Sequence, residues 1–215
     1  MKDSENTDEY DIVVNDILEQ RRYLKIAQFI ESLHIKGTKI KLYDIQLNLI
    51  KFYCDNWHKH EICINKSRQS GFTSVTLGFI LNECVHNESK YLFTFQDHKY
   101  SSALWKIERL ERMCLMNDIE FKKTFKNSIY INGNEITSQK ILFGHCEKRR
   151  VVCFFDEYAY SCGYKPIKEV DEILSNYDNV LRIYASTPNG TNDFFNKWLD
   201  SKNKFKINWT DIPGR

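Results

Sequence analysis

Apolar residues recur along the chain in two alternating rhythms. Between residues 10 and 34, Ile12, Val13, Ile17, Leu18, Leu24, Ile26, Ala27, Phe29 and Ile30 fall roughly at helical spacing, which predicts one or two amphipathic helices. Lys36-Gly37-Thr38 ends them. Leu42-Tyr43-Asp44-Ile45-Gln46 starts a further helix with Leu47, Ile50 and Phe52 facing the core. Compact apolar runs then alternate with longer periodic ones. Residues 60–65 read as a buried strand, 72–86 as a helix, 90–95 as a strand and 100–116 as a long helix. Residues 128–137 carry a hairpin pattern, two short runs flanking a turn that contains Gly133. Ile141-Leu142-Phe143 is a candidate additional strand. The alternation resumes with strand 150–155, helix 167–176, strand 180–185, helix 193–201 and strand 205–209. The acidic, polar residues 1–9 are expected to be disordered.

Strands alternating with helices indicate an α/β fold whose sheet is mainly parallel and flanked by helices. Residues 1–38 form an N-terminal helical segment with a disordered tip, and residues 39–215 form the sheet domain with its hairpin insertion. Ligands of such sheets bind at the carboxyl ends of the strands. Three polar motifs fall there together: residues 66–74, 156–157 and 186–190.

The first, Lys66-Ser67-Arg68-Gln69-Ser70-Gly71-Phe72-Thr73-Ser74, is a phosphate-binding loop with its lysine displaced. The usual pattern is glycine, four residues, then Gly-Lys-Ser/Thr. Gly71 and Thr73 stand in their expected places, but Phe72 fills the lysine slot and Lys66 the slot of the first glycine. Backbone N–H groups around Ser70-Gly71 and the start of the next helix would face phosphate oxygens. Thr73 stands where a hydroxyl ligates Mg2+. Phosphoryl transfer needs a cation near the β- and γ-phosphates. Phe72 cannot supply it; Lys66 can, from the other end of the loop, with Arg68 as a second cation. The alternative is a basic strand–helix turn without a ligand.

Val151 to Phe155 is an apolar run ending in Asp156-Glu157. Asp156 suits the Walker B role of holding Mg2+, and Glu157 suits a general base that activates water. Ser186 and Thr187, before Pro188-Asn189-Gly190, read either as γ-phosphate sensors that relay hydrolysis or as a polar turn. Tyr43 and Gln46 read either as an adenine site, ring stacking plus paired amide hydrogen bonds, or as core and helix residues.

Composition narrows the setting. At 215 residues the chain has room for one generous core. A net charge of +2 is too small to mark a nucleic-acid binder, although Lys148-Arg149-Arg150 could touch phosphate or form a solvated turn. Seven cysteines without a Cys-x-x-Cys pair argue for a reducing cytosol rather than a disulfide framework. Cys63 and Cys153 sit in apolar runs as small hydrophobes. No signal peptide and no membrane-length apolar run is visible, so no membrane partner is expected.

Taken together, the motifs resemble the ATPase domain of the large terminase subunit of tailed phages, a P-loop NTPase of the RecA/ASCE-like type. Leu42 to Gln46 looks like the adenine motif, and Ser67-Arg68-Gln69-Ser70-Gly71 like the core of Walker A. Phe154-Phe155-Asp156-Glu157 looks like Walker B, and Ser186 to Gly190 like the coupling motif. Lys66 and Phe72 match a deviant Walker A known among terminases, and the likeness spans about residues 40–215. It implies ATP hydrolysis with Mg2+ that drives double-stranded DNA into a procapsid in the host cytoplasm. It implies a portal protein, a small terminase subunit and a homo-oligomeric ring as partners. It also implies an arginine acting on ATP in cis or from a neighbour, for which Arg149 and Arg150 are the candidates. Large terminases carry a C-terminal nuclease that this chain is expected to lack, as a truncated or split product; no nuclease activity is expected of these residues. The competing functional readings are a nucleotide-binding assembly module without turnover, and another nucleic-acid-dependent P-loop ATPase.

Overall fold

The computed structural model describes residues 18, 21–35, 37–87, 91–97, 99–138, 149–161 and 165–213. The expectations for the N-terminal tip, for most of residues 10–20, for a strand at Ile141–Phe143 and for the last two residues lie outside them.

Helix α1 covers residues 21–32 and leads into a small hairpin, β1 (His34–Ile35) and β2 (Thr38–Lys39). Helix α2 (Asp44–Asn56) follows, with Gln46, Leu49, Ile50, Tyr53 and Cys54 buried, while Leu47 and Phe52 are only partly covered. Then come β3 (Glu61–Lys66), α3 (Phe72–His86), β4 (Tyr91–Gln96) and α4 (Tyr100–Met116). Strands β5 (Lys122–Phe125), β6 (Ser128–Ile131) and β7 (Asn134–Thr137) form a meander. After it come β8 (Arg150–Asp156), the short α5 (Tyr158–Ser161), α6 (Lys165–Leu174), β9 (Val180–Ser186), α7 (Asp193–Asp200) and β10 (Lys204–Ile207). The last strand stops before Trp209 because Asp211 accepts a hydrogen bond from the Asn208 N–H and caps a 3₁₀ turn, Trp209–Asp211.

Among the described residues, one eight-stranded sheet carries the order β10-β3-β9-β8-β4-β7-β6-β5. From β10 to β7 every pairing is parallel; β6 and β5 add antiparallel strands at one edge. The hairpin at Asn132-Gly133 is therefore continuous with the main sheet. Both turn residues have positive φ, 46° and 78°, as a two-residue I′ turn requires. Strand β5 has no counterpart in the sequence pattern, since all four of its residues are exposed and nothing in it alternates.

The parallel strands are buried on both faces, and their side chains sort by period two. Ile62, Ile64, Val152 and Phe154 join a core shared with α1 to α4. Cys63, Val151, Cys153 and Phe155 join a second core beneath α5 to α7. Helix α3, between the sheet and its neighbours, is buried on nearly every side. Tyr53 is fully buried there and its hydroxyl meets Thr76 at 2.9 Å, so its polar end has a partner. On the opposite face the Tyr158 and Tyr184 hydroxyls donate to Asp171, which also pairs with Arg182 and Lys197 and ties α5, α6, α7 and β9 together. Burial pushes the Cys63 and Cys114 thiols up to about 12; these cysteines pack as apolar groups.

Register places the chemistry. Strands β3, β9, β8 and β4 are neighbours, with Asn65 opposite Ser186, Ala185 opposite Asp156, and Phe155 opposite Gln96. Their carboxyl ends deliver Lys66, Ser186, Asp156 and Asp97 to one edge of the molecule.

Candidate functional site

The loop after β3 is held in a strained shape from both sides. Gln69 (φ 57°) and Gly71 (φ 74°) are left-handed. A side chain at Gly71 would be strained, and a Cβ there would stand 2.3 Å from Gln46 Nε2. Gln46 belongs to the helix before the strand. Its Oε1 accepts from the Tyr43 N–H at 3.0 Å, and its Nε2 donates to the Ser70 carbonyl at 3.0 Å. Its amide thus clamps the loop and caps α2, with both ends engaged inside the protein, while the Tyr43 ring is partly exposed.

Helix α3 starts straight out of the loop without a side-chain cap. Its first N–H groups therefore remain for an outside acceptor. A cavity of about 300 Å3 lies there, lined by Lys66, Ser67, Gln69 to Ser74, and Arg109. The Ser67 and Ser70 hydroxyls are buried without a hydrogen-bond partner. Buried polar groups of native proteins are nearly always paired, so a cavity edged with such hydroxyls and open amides is built for anionic oxygens.

Lys66 does not point away from this chemistry. Its Nζ lies 2.6 Å from Glu157 Oε1 and 3.4 Å from Asp156 Oδ1, and 5.4 Å from the centre of the Phe72 ring. The residue that took the lysine's usual slot thus supplies a face over which the displaced lysine rests. Asp156 is nearly buried and has a second ammonium on its other oxygen, Lys106 Nζ at 3.0 Å. Lys106, from α4, also pairs with Asp97 at 3.0 Å. Burial alone would raise the Asp156 carboxyl; the charges of Lys106 and Lys66, with hydrogen bonds from Lys106 and the Glu157 N–H, outweigh it and hold it below the ordinary carboxylate value. Burial acts against Lys106 too, and Asp156 and Asp97 reverse it, raising the lysine above its ordinary value.

Glu157 has left-handed backbone, φ 51°, uncommon for a residue with a side chain. That turn sends Oε1 to Lys66 and Oε2 to the Thr187 N–H at 3.2 Å. The strand-end hydroxyls join the same assembly. Ser186 Oγ accepts from the Ala159 N–H at 3.1 Å, and Asn192 donates to the Ala159 carbonyl at 3.1 Å. The segment after Glu157 is therefore stitched to the loop after β9. Thr187 Oγ1 is buried without a partner. Arg68 is on the exposed side, with Nη2 at 3.4 Å from the Tyr160 hydroxyl.

Arg149 and Arg150 are not brought to this edge. Both stand where β8 begins, at the other end of a seven-residue strand, roughly 20 Å from Asp156 at about 3.3 Å per residue. Arg149 pairs with Glu135 at 2.9 Å, and Arg150 Nη2 donates to the Trp57 and Lys59 carbonyls at 2.7 and 3.2 Å. Neither reaches the loop of its own chain. An arginine that does is Arg109 on α4, stacked on Trp105 and donating to Ser74 Oγ at 2.7 Å. Sequence reading missed Arg109, Lys106 and Asp97. Asp97 directly follows the apolar run of β4, a strand-end signal like that of Asp156; the two α4 residues sit among other charges and have no such signal.

No protein-family model and no curated protein matches the chain. Solved structures do. The large terminase of bacteriophage HK97 superposes with a TM-score of 0.65 at 18% identity, over 83% of this chain and 40% of that one. The fold is that of the large terminase ATPase domain. A large terminase of a thermophilic bacteriophage, in complex with ATP-gamma-S, gives a TM-score of 0.58 at 15% identity over 81% and 47% of the two chains. The isolated large terminase ATPase domain of Thermus phage P74-26 gives 0.50 at 13% identity, over 78% and 81%. The chain spans less than half the length of the first two. In this terminase ATPase fold, a P-loop fold, the loop, the carboxylate pair and the strand-end hydroxyls share the carboxyl edge of the sheet.

Proposed function

We propose that the chain is the ATPase motor domain of a viral large terminase subunit, hydrolysing ATP with Mg2+ to drive double-stranded DNA into a procapsid. One observation carries the reading: the lysine from the start of the loop stands between the phosphate cavity and both strand-end carboxylates. A basic turn without a ligand has no use for such a bridge.

The residues present fit Mg2+ in a particular way. The Thr73 hydroxyl and Asp156 carboxylate are the hard oxygen donors this ion prefers, and the two residues border the same small, largely apolar space. Both Asp156 oxygens already hold ammonium groups, which suits an ion reached through water. Among the described residues no group of three or more His, Cys, Asp or Glu is placed to hold a metal by itself. Bound there, Mg2+ offsets charge on the transferred phosphoryl group.

The chain's own residues do the rest. Loop amides and the start of α3 bind the phosphates. Lys66 exchanges Glu157 for the β- and γ-phosphate oxygens, and Arg109 and Arg68 flank the entrance. Release of Lys66 frees Glu157 Oε1 to accept the proton of a water attacking in line, while Oε2 keeps Glu157 oriented through Thr187. Hydrolysis then changes the charge facing Glu157, and the tie to Thr187 passes that change to the loop before α7. Partners on this reading are DNA, a portal protein, a small terminase subunit and further copies in a ring, in the host cytoplasm. Arg149 and Arg150 can serve only a neighbouring copy's site.

A crystal structure with ATP-gamma-S and Mg2+ tests the reading. Lys66 Nζ is expected on phosphate oxygens and off Glu157. Phosphates held by Arg109 and Arg68 with Lys66 still on Glu157 would show the cation to be misassigned.

A further inference from the structure

The Walker-B-like carboxylate has two lysines, and only one of them faces the phosphate cavity. Lys66 lines that cavity; Lys106 lies behind it, in the small space it shares with Thr73, Thr76 and Asp156. Lys66 is shared between Asp156 and Glu157 and leans to Glu157, 2.6 against 3.4 Å. Lys106 is shared equally between Asp156 and Asp97, 3.0 Å from each, with all three side chains almost fully buried. The five groups carry two positive and three negative charges. Of these five groups, withdrawing Lys66 to the phosphates leaves Lys106 as the positive charge facing Asp97 and Asp156. An unpaired carboxylate beside incoming phosphates would be repelled and would turn away.

We propose that Lys106 is a positioning residue of the ATPase site, holding Asp156 in place from α4 so that Lys66 is free to exchange carboxylates for phosphates. The inference rests on the ATPase reading above. The two lysines then differ in role, since Lys66 moves and Lys106 stays. Asp97 anchors Lys106 from the adjacent strand end, so that the ammonium sits between two fixed carboxylates rather than following either.

Three variants test it. Lys106→Met is expected to lower turnover about 10- to 100-fold, the usual cost of losing a group that orients a metal-site residue. It should raise the Mg2+ concentration for half-maximal rate, with affinity for a fluorescent ATP analogue in EDTA unchanged within error. Lys106→Arg should recover part of the loss. Because Lys106→Met leaves two buried acids facing each other, Asp97→Asn/Lys106→Met serves as the folded control and should show the same loss, whereas Asp97→Asn alone should cost less. Wild-type turnover in either Met variant, or an equal loss from Asp97→Asn alone, overturns the proposal. A nucleotide-free crystal structure of the double variant that also carries Lys66→Met, which stands in for the withdrawal of that lysine, separates this from failure of the ATPase reading. Asp156 turned away from the Glu157 N–H supports the role of Lys106 even if the wild-type chain binds no ATP. Asp156 left in place removes it even if the chain is an ATPase.

Discussion

The two ends of the parallel sheet are made by the same strands yet hold their charges differently. At the amino ends lies the larger cavity, about 800 Å3, bordered by Arg22, Glu83, His86, Tyr91 and Arg150. Several of its charged groups are paired: Arg22 with Glu83, to which Asn87 also donates, and Arg150 with two backbone carbonyls. None of the described residues lining it has left-handed backbone. At the carboxyl ends the cavity is smaller, but Gln69, Gly71 and Glu157 are left-handed, and the Ser67, Ser70 and Thr187 hydroxyls are buried without partners. Its cations are held by side chains that an anion could replace. Both ends contain unpartnered buried atoms, since Trp57 Nε1 and Arg150 Nε lack acceptors too. Strained backbone, an uncapped helix start and exchangeable charge therefore identify the site, and cavity size does not. Strain of about 1–3 kcal/mol per residue persists only where the surroundings impose it.

The sharpest way to break the comparison is to remove the exchangeable charges. Glu157→Gln is expected to lower the rate of phosphate release by about 10²- to 10⁴-fold, the usual range for a general base, while ATP still binds. Lys66→Ala should be comparably severe and should also weaken binding. Phe72→Ala removes the ring beneath the ammonium, an interaction of about 0.5–2 kcal/mol, so the loss of rate per folded molecule should stay within about 30-fold; because Phe72 is also buried in the core, stability falls as well. Single-turnover phosphate release resolves the three. Full activity in Lys66→Ala would mean that the carboxyl edge does not work as described.

Next in size is the clamp between Gln46 and the loop. Gly71→Ala meets left-handed backbone, costing about 1–2 kcal/mol, and displaces a Gln46 hydrogen bond worth about 1 kcal/mol. The melting temperature should fall by roughly 4–12 °C for a domain of this size, with weaker nucleotide binding. Gln46→Ala should then cost less in the Gly71→Ala background than in the wild type, because both remove the same contact. Additive losses would show that the loop does not depend on the clamp.

How much of this was legible follows from what each signal depends on. Helices α3 and α4 match the expected 72–86 and 100–116 for different reasons: α4 has apolar residues recurring at helical spacing, whereas α3 is a long, mostly apolar run that opens straight out of the loop and is buried on nearly every side. The parallel strands were legible as compact apolar runs, and their ends fixed the places of Lys66, Asp156 and Ser186. Strand β5 was not, because it joins the sheet by backbone pairing alone. Gln46 stood out beside Tyr43, but its hold on Ser70 depends on tertiary approach. Lys106 and Arg109 were invisible for the same reason: a cation on a charged helix looks solvated until the fold buries one against Asp156 and aims the other at Ser74.

The smallest effects belong to the amino end, and they ask whether that end is only structural. Arg150→Met leaves the Trp57 and Lys59 carbonyls without their donor, an expected cost of about 1–3 kcal/mol. Arg149→Ala loses a part-exposed pair with Glu135, worth about 0–1 kcal/mol. Neither side chain reaches the loop of its own chain, so turnover per folded molecule in a dilute, monomeric preparation should not change. Melting temperature and turnover measured on the same samples separate the outcomes. Lower stability at constant turnover keeps the amino end structural. Turnover that falls at constant melting temperature, and only at concentrations where copies associate, would place an arginine of one chain in the site of the next. The contrast between the two ends would then hold within one chain and dissolve across a ring.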